Sequence, residues 1–283
     1  MENQKKNAKP KVWFITGVSK GMGLEITKTV LKNGGKVIAT SRNTEMLLEK
    51  IGDYKDNLLP VKLDITKETA VENAIASGIE KFGRIDVVIN NAGYNLLGNI
   101  EELSDNEFRE TMNVNVFAMA TIIRNVLPHL RGQKSGHIIN TSSMMGYMGY
   151  AGNGSYNASK FAVIGLSEAL AQEVAPFGIK VTILAPGTFR TNFMNEDSLN
   201  VAKNKIDAYN LDKQVEQFIG FDGKQLGDPE KLAEVLLKIT EMSNPPLHLP
   251  LGSDTYNAIF EVRKNEEKEM EKWKSLSLST DFK

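Results

Sequence analysis

The chain has 283 residues and no cysteine, and its 34 lysines and arginines nearly balance 35 aspartates and glutamates. The lack of cysteine excludes disulfides and thiolate catalysis, and no metal site is predicted. The charge balance gives no reason to expect a nucleic acid or an anionic membrane as a partner. The polar N-terminus is unlike a signal peptide, and no apolar run approaches the roughly 18 residues that span a bilayer. We therefore expect a cytoplasmic protein.

Short apolar runs alternate with segments of helical period. Strands are predicted at residues 11–16, 36–41, 58–63, 85–90, 136–141 and 179–185, and their Val, Ile and Leu content is typical of parallel strands covered on both faces. Helices are predicted at residues 22–33, 44–51, 68–82, 104–130 and 155–176. Repeated β-α units with short links predict an α/β fold, in which a single doubly wound parallel sheet of about seven strands carries helices on both faces.

Three segments depart from this alternation. Residues 188–226 carry scattered aromatic side chains with weak periodicity, so we interpret them as a substrate-loop region that passes over the sheet. Residues 261–283 are predicted to be a charged helix followed by a polar tail, and residues 1–10 a flexible N-terminal segment. The remaining residues, 11–260, are predicted to form one domain that includes the substrate loop.

The segment after the first strand, residues 17–23, has the sequence GVSKGMG and allows two interpretations. Its first five residues match G-x-S-x-G, the nucleophile elbow of hydrolases, with Ser19 as nucleophile. That site needs an oxyanion loop from an earlier strand, and no strand precedes this one. The other interpretation is a glycine loop that holds a phosphate at a helix N-terminus. The phosphate loop is favoured, and the hydrolase stays a remote alternative.

Polar residues follow later strands at the edge where a doubly wound sheet binds its ligands. Asp64 follows the third strand, residues 91–93 follow the fourth, and Ser143 follows the fifth. Tyr156 and Lys160 lie four residues apart on the next predicted helix and therefore share a face. A lysine cation beside a tyrosine lowers the pKa of the phenol, which suits a general acid–base group.

These motifs together resemble the short-chain dehydrogenase/reductase family. They occur in the family's order and spacing over about residues 10 to 190, and they are Thr16-Gly17-x-x-x-Gly21-x-Gly23, Asn90-Asn91-Ala92-Gly93, Asn113-Val114-Asn115, Ser142-Ser143, Tyr156-x-x-x-Lys160 and Pro186-Gly187. The resemblance implies a Rossmann-type dinucleotide-binding and catalytic domain that transfers hydride between a nicotinamide and a carbonyl or alcohol substrate.

The resemblance also implies a role for individual residues. Tyr156 would protonate the carbonyl oxygen, and Ser143 would orient that oxygen, with Ser142 as the fallback. Lys160 would lower the pKa of Tyr156 and hold the nicotinamide ribose, and Asn115 would bind a water that feeds protons toward Lys160. The implied cofactor-binding residues are Gly17, Ser19, Lys20, Gly21, Met22, Gly23, Ser41, Arg42, Asp64, Ile65, Asn91, Ala92, Gly93, Tyr156, Lys160, Pro186, Gly187, Thr188 and Thr191.

The end of the second strand bears on which cofactor is used. An NAD site has a carboxylate about 20 residues after the glycine loop, for the ribose 2′-hydroxyl. This chain has Ser41 and Arg42 there instead, and Lys20 adds a second cation from the loop. A guanidinium suits a 2′-phosphate, so NADP(H) is predicted to be preferred, with NAD(H) as the alternative.

The loops expected around the nicotinamide predict a bulky, apolar carbonyl substrate, because methionine and aromatic side chains line adaptable pockets. These side chains are Tyr94, Leu96, Leu97, Met144, Met145, Tyr147, Met148, Tyr150, Phe189, Phe193, Met194, Phe218 and Phe221. The function predicted is an NADPH-dependent carbonyl reductase. The alternatives are an NAD-dependent alcohol or hydroxysteroid dehydrogenase of the same fold and a non-catalytic dinucleotide-binding sensor. The family habit of pairing the two long helices predicts a homodimer, with a homotetramer as the alternative.

Overall fold

The computed structural model describes residues 9–52, 54 and 56–282, so most of the predicted flexible segment 1–10 lies outside the described residues. The strands in this part of the chain are β1 (Val12–Thr16), β2 (Lys36–Ser41), β3 (Leu58–Lys62), β4 (Val87–Asn90), β5 (Leu96–Leu97), β6 (Gly136–Thr141), β7 (Ile179–Pro186), β8 (Asn200–Val201) and β9 (His248–Leu251). Seven of them form one parallel sheet in the order β3-β2-β1-β4-β6-β7-β9, and β5 pairs with β8 separately. The predicted doubly wound Rossmann-type sheet is confirmed.

Helices cover both faces of this sheet. They are α1 (Gly21–Lys32), α2 (Thr44–Ile51), α3 (Glu68–Phe82), α4 (Asp105–Met112), α5 (Ala118–Gln133), α6 (Gly154–Val174), α7 (Leu211–Ile219), α8 (Pro229–Glu241), α9 (Ser253–Lys272) and α10 (Lys274–Leu278). Successive side chains of β1 enter opposite cores, as the pleat of a strand requires. Phe14 packs in the core that α3, α5 and α6 share, whereas Trp13 and Ile15 pack in the core formed with α1, α2 and α8.

The strand order indicates where a ligand would bind. Strand order reverses between β1 and β4, because β2 and β3 lie on one side of β1 and the later strands lie on the other. Ligands of open α/β sheets bind at such a switch point, outside the carboxyl ends of the strands. The glycine loop after β1 and residues 91–93 after β4 meet there.

The structure differs from the sequence prediction in three places. The predicted helix 104–130 is divided into α4 and α5 by a π-helical turn, Asn113–Phe117. The predicted substrate loop contains β8 and α7, which the sequence prediction missed. Strand β9 and helix α8 are not in the prediction, and α9 begins at Ser253 rather than at residue 261. Strand β9 carries Pro250, which is tolerated because β9 pairs only with β7 at the edge of the sheet.

None of the helices in the described part of the chain is both long enough and apolar enough to cross a membrane.

Candidate active site

The glycine loop after β1 has a backbone that requires glycine. Gly17 and Gly21 have φ of 71° and 61°, in the left-handed region. A Cβ on Gly23 would lie 2.4 Å from the carbonyl oxygen of Gly17, so the third glycine lets the loop fold onto itself. The N-terminus of α1 has no capping side chain and no acidic residue in its first turn. Free N–H groups and the positive end of the helix dipole therefore face this loop, an arrangement that attracts a phosphate.

Side chains tie the loop to the end of β4. The Oγ1 of Thr16 accepts hydrogen bonds from the backbone N–H groups of Asn91 and Ala92, both at 3.0 Å. The amide of Asn91 donates to the carbonyl oxygens of Thr16 and Gly17 at 3.0 and 3.2 Å. These bonds fix the two strand ends that border the crevice. Asn91 therefore shapes the loop with its side chain.

Three cationic side chains belong to the glycine loop, to the residue after β2 and to α2. Arg42 is exposed directly after β2, and Lys20 is exposed in the loop itself. Lys50 of α2 donates to the carbonyl oxygen of Ser19 at 3.0 Å, a contact that the sequence prediction missed. Ser41 differs from its prediction, because its buried hydroxyl does not face this group. It donates to the carbonyl oxygen of Asn43 at 2.9 Å and closes the turn after β2.

Asp64 lies at the same edge, after β3. Its Oδ1 accepts hydrogen bonds from the Thr66 hydroxyl at 2.7 Å and the Thr66 N–H at 3.0 Å. These bonds hold the pKa of the carboxyl below its usual value, with smaller contributions from the charges of Lys67 and Arg42. The carboxylate is therefore an ionised acceptor. Ile65 beside it is half-buried against the core, and Met22 in the first turn of α1 packs against the other core.

The acid–base pair lies at the start of α6. The Nζ of Lys160 is 5.4 Å from the ring centroid of Tyr156, as the spacing of four residues predicts. Burial raises the pKa of Tyr156 to about 12, although a hydrogen bond with Ser143 acts to lower it. Burial also lowers the pKa of Lys160 to about 8. The expected lowering of the tyrosine pKa is therefore wrong for this structure, because the loss of solvation raises the pKa by more than the Ser143 bond lowers it.

The two serines after β6 have different surroundings. The Ser142 hydroxyl is buried and donates to the carbonyl oxygen of Lys160 at 2.9 Å, so it joins β6 to α6. The Ser143 hydroxyl hydrogen-bonds with the phenol of Tyr156 and also accepts the N–H of Met145 at 3.1 Å. The ammonium of Lys160 donates to the carbonyl oxygen of Thr141 at 2.9 Å. Ser143 is therefore the serine that faces the tyrosine.

Asn115 lies in the π-helical turn between α4 and α5 and is buried. Its amide donates to the carbonyl oxygen of Tyr94 at 2.9 Å and to the Ser159 hydroxyl at 3.1 Å. Its Oδ1 accepts the N–H of Tyr94 at 3.1 Å and would lie 3.0 Å from a Cβ on Gly93. The side chain therefore holds the segment after Gly93 against α6. The predicted binding of a water by Asn115 stays a prediction.

The segment after β7 is fixed by a residue that the sequence prediction missed. Both the N–H and the hydroxyl of Thr188 donate to Oδ2 of Asp254, at 2.8 and 2.7 Å. Asp254 lies in the first turn of α9, and a Cβ on Gly187 would meet its Oδ1 at 2.2 Å. These bonds fix Thr188 against the start of α9, and its place beside a nicotinamide stays a prediction. Thr191 approaches the glycine loop, with its side chain 3.5 to 3.9 Å from a Cβ placed on Gly21.

The substrate loop, residues 188–226, folds over the tyrosine and is held at a few points. The ring of Phe193 lies 6.1 Å from the ring of Tyr156. The buried carboxylate of Glu102 accepts the N–H of Ile206 at 3.0 Å, and Glu107 accepts the N–H of Lys203 at 3.2 Å.

Part of the predicted apolar pocket lining is wrong. Leu96 and Leu97 are buried in β5, where they pair with β8. Phe189 packs onto Gly227 and the core. These three side chains stabilise the loops that surround the site.

Comparison with known proteins agrees with this geometry. The family model described as short chain dehydrogenase matches residues 11–202. Oxidoreductase BOA17 of Botryotinia fuckeliana is 39% identical over 271 residues, which cover 95% of this chain and 99% of that protein. The 3-ketodihydrosphingosine reductase of Bacteroides thetaiotaomicron is 37% identical, covering 86% of this chain and 88% of that protein.

Solved structures agree as well. The crystal structure of a short-chain dehydrogenase from Streptomyces avermitilis has a TM-score of 0.89 and 35% identity, with 97% of this chain and 100% of that chain covered. The structure of ElxO with NADP bound has a TM-score of 0.73 and 28% identity, with 88% and 100% covered. The family model, the relatives and the solved structures all agree. The chain belongs to the short-chain dehydrogenase family of oxidoreductases.

Proposed function

We propose that the chain is an NADPH-dependent carbonyl reductase that transfers hydride between the nicotinamide and a bulky, apolar ketone or its secondary alcohol. The observation that carries this proposal is the hydrogen-bonded pair of Ser143 and Tyr156 beside Lys160, at the end of the sheet that also bears the glycine loop. The residues fit a dinucleotide, because Gly17 and Gly23 let the loop fold closely at the N-terminus of α1, which has no capping side chain and no acidic residue in its first turn. The bound nicotinamide supplies the hydride.

The protein groups supply the proton and the orientation. A pKa of about 12 keeps Tyr156 protonated at neutral pH, so its phenol can donate to the carbonyl oxygen of a substrate. The Ser143 hydroxyl, which bonds the same phenol, donates to that oxygen and orients it. Lys160, whose Nζ lies 5.4 Å from the ring centroid of Tyr156, would hold the nicotinamide ribose. Asn115 keeps the segment after Gly93 against α6, so it maintains the shape of the site.

The preference for NADP(H) rests on the charges around the ribose position. The end of β2 has no carboxylate and is followed by the exposed Arg42, while Lys20 belongs to the glycine loop and Lys50 donates to its Ser19. A 2′-phosphate would meet charge-assisted donors there, and a plain ribose would leave them unused. ElxO, at 28% identity, was solved with NADP, and a 3-ketoacyl-(acyl-carrier-protein) reductase from Brucella melitensis, at 27% identity, with NADH. These neighbours support a nicotinamide dinucleotide without deciding between the two.

The apolar substrate class rests on the side chains near the tyrosine. Phe193 lies against Tyr156, and the half-buried Met144, Met145 and Met148 follow Ser143. Methionine and aromatic surfaces accept apolar ligands of irregular shape. One relative is named as a reductase of 3-ketodihydrosphingosine, which supports a ketone as the reacting group.

We further propose a cytoplasmic homodimer with one dinucleotide-binding and catalytic domain over residues 11–260. The absence of cysteine is in keeping with that compartment. The helical region Asn113–Gln133 and α6 each expose a phenylalanine, Phe117 and Phe161, whose apolar rings suit an interface between two copies.

The test is a panel of ketones and aldehydes assayed by the loss of reduced-nicotinamide absorbance, with NADPH and NADH in parallel. We expect aryl, alicyclic and long alkyl ketones to be reduced with NADPH at a higher kcat/KM than sugars or small hydroxy-carbonyl compounds. A small polar carbonyl that outperforms every bulky ketone would overturn the substrate class. Turnover with NADH alone would instead support an NAD-dependent dehydrogenase, and binding without any turnover would support a sensor.

A further inference from the structure

The chain that leaves β7, residues 187–193, connects the two halves of the candidate site. We call it the exit segment. Thr191 lies 3.5 to 3.9 Å from a Cβ placed on Gly21 of the glycine loop. Two residues later, the ring of Phe193 lies 6.1 Å from the ring of Tyr156. One short segment therefore lies beside both the proposed phosphate site and the proposed proton donor.

A single carboxylate fixes the start of the exit segment. The N–H and the hydroxyl of Thr188 both donate to Oδ2 of Asp254, at 2.8 and 2.7 Å. The N–H of Thr255 donates to Oδ1 of the same side chain at 2.8 Å. Hydrogen bonds to a carboxylate are stronger than bonds between neutral groups. Asp254, in the first turn of α9, thus joins the C-terminal helix to the chain that leaves β7.

Two glycines let the backbone close around this carboxylate. The N–H of Gly187 donates to the carbonyl oxygen of Leu251 at 2.9 Å, so the ends of β7 and β9 lie side by side. A Cβ on Gly187 would lie 2.2 Å from Oδ1 of Asp254, and a Cβ on Gly252 would lie 2.5 Å from the same atom. Gly252 also has φ of 97°, in the region that favours glycine. The chain is therefore built closely around the side chain of Asp254.

The exit segment has a second attachment on its other side. The N–H of Gly227 donates to the carbonyl oxygen of Thr188 at 2.8 Å, and the N–H of Arg190 donates to that of Gly227 at 2.9 Å. Both bonds join backbone groups, and neither involves the N–H or the hydroxyl of Thr188. Loss of the Asp254 carboxylate would therefore leave the segment attached at Gly227 and unsupported on the side of α9.

The position of the exit segment bears on cofactor binding. A dinucleotide whose phosphates bind at the glycine loop and whose nicotinamide reaches Tyr156 spans the same interval as this segment. We propose that Asp254 is a positioning residue, which holds the exit segment where it contacts the nicotinamide half of the cofactor. This inference rests on the proposed reductase function. A protein whose segment is in place for only a fraction of the time binds its ligand more weakly by that fraction.

The test compares wild type with Asp254→Asn and a matched control. The amide keeps the shape of the side chain but has one acceptor oxygen, so its NH₂ group would face either the Thr188 donors or the Thr255 N–H. The control is Asp105→Asn, an exposed acidic residue in the first turn of α4. Each protein is titrated with NADPH and with adenosine 2′,5′-bisphosphate, which carries the 2′-phosphate and lacks the nicotinamide.

The two ligands separate positioning from a general loss of structure. Affinity of Asp254→Asn for NADPH should fall about tenfold, the effect of one charge-assisted bond, and its affinity for the bisphosphate should stay constant. Asp105→Asn should keep both affinities. Equal weakening of the two ligands, or an unchanged affinity for NADPH, would overturn the role of Asp254. Absence of turnover with every ketone would overturn the reductase function alone, because the affinity ratio would still decide the role of Asp254. Failure of wild type to bind NADPH would overturn both.

Amide hydrogen exchange without nucleotide gives a second readout. Exchange in residues 187–193 of Asp254→Asn should accelerate about tenfold, with β6 unchanged. Equal acceleration in β6 would show global destabilisation and overturn the local role. Circular dichroism checks the fold of each variant. If Asp254→Asn unfolds, Thr188→Val replaces it, since valine keeps the shape of threonine and removes one of the two donors. That variant should weaken NADPH binding about threefold and leave the bisphosphate unaffected, and equal effects on the two ligands would overturn the proposal.

Discussion

The catalytic end of α6 and the substrate loop are held in place by different kinds of contact. Two buried hydrogen bonds join α6 to β6, from the Ser142 hydroxyl to the carbonyl oxygen of Lys160 and from the Lys160 ammonium to that of Thr141. The strand beneath is paired on both sides, with β4 and β7. The acid–base groups therefore lie on a rigid part of the fold, as a site with precise geometry requires.

The substrate loop is attached at scattered points instead. Two carboxylates accept its backbone N–H groups, two residues of β8 pair with β5, and the hydroxyl of Ser198 accepts a bond from Lys20 at 2.6 Å. Breaking any one of these contacts frees only a short segment. A loop held by few contacts can open for a ligand while the groups on α6 stay fixed.

The largest predicted loss of activity concerns a residue at the catalytic end of α6. Tyr156→Phe keeps the buried ring and removes the proton donor, so kcat should fall about 10²- to 10⁴-fold. Cofactor affinity should change little, because the lysine and the glycine loop stay intact. Steady-state rates and titration with NADPH measure the two quantities. Tyr256→Phe, the same exchange on an exposed tyrosine of α9, serves as the control. Retention of most of the wild-type kcat by Tyr156→Phe would refute the role of Tyr156.

The next largest predicted change is in the preference for NADPH over NADH. Arg42→Ala removes an exposed guanidinium beside the proposed 2′-phosphate position. The ratio of kcat/KM for NADPH over NADH should fall about tenfold to a hundredfold, through the KM for NADPH. Arg109→Ala, at a surface arginine paired with Asp105, is the matched control and should leave the ratio unchanged. The assignment fails if wild type uses both cofactors equally or if the Arg42 variant keeps the wild-type ratio.

The rigid part was largely predictable from the sequence because its chemistry requires particular residues at fixed spacing. The predicted bounds of β2, β6, α2 and α3 agree with the structure. Tyr156 and Lys160 lie together because four residues make about one helical turn, and Ser143 lies near them because it follows β6, the strand against which α6 packs. The direction of the pKa shift of Tyr156 was predicted wrongly. That shift depends on burial by neighbouring segments, including Phe193, which is distant in sequence but lies against the ring.

The contacts of the substrate loop were not predictable in the same way. Glu102 and Ile206 are 104 residues apart in sequence, and Thr188 and Asp254 are 66 apart. Such pairs leave no periodic pattern, because each is one acid meeting one backbone or hydroxyl donor. The edge strand β9 was missed for a related reason. Its sequence HLPL, after two prolines, has little of the β-branched content that marks a strand.

The third prediction concerns the attachment of the substrate loop. Glu102→Ala would leave the N–H groups of Ile206 and Asn99 without their acceptor, whereas Glu102→Gln keeps one carbonyl oxygen as acceptor. Amide hydrogen exchange should accelerate about tenfold in residues 200–210 of the alanine variant and less in the glutamine variant, with β6 unchanged. Equal acceleration in β6 and the loop would show a global loss of stability and refute a local attachment.

The same carboxylate predicts a pH dependence. Burial raises the pKa of Glu102, but bonds from Ile206 and Asn99 outweigh it, and the net pKa lies below its usual value of 4.5. A lowered pKa means that the folded state favours the ionised form. The stabilisation is therefore present above pH 4.5 and is lost as the pH falls below it. Exchange in residues 200–210 of wild type, corrected for intrinsic rates, should accelerate on acidification, and Glu102→Gln should lack this step.

The smallest predicted change is in cofactor affinity, and it tests the contact between the glycine loop and the substrate loop. Lys20 of the glycine loop donates to Ser198 of the substrate loop, and both groups are near the surface. A 2′-phosphate would compete with Ser198 for this ammonium. Ser198→Ala removes the competitor, so affinity for NADPH should rise about two- to fivefold, the effect of one ordinary hydrogen bond. Affinity for NADH should stay constant, because NADH has no 2′-phosphate. Titrations of both cofactors into Ser198→Ala and into Ser277→Ala, a control on α10, measure the difference. Weaker NADPH binding in Ser198→Ala would mean that the contact helps the loop to cover the cofactor, and the competition argument would then be wrong.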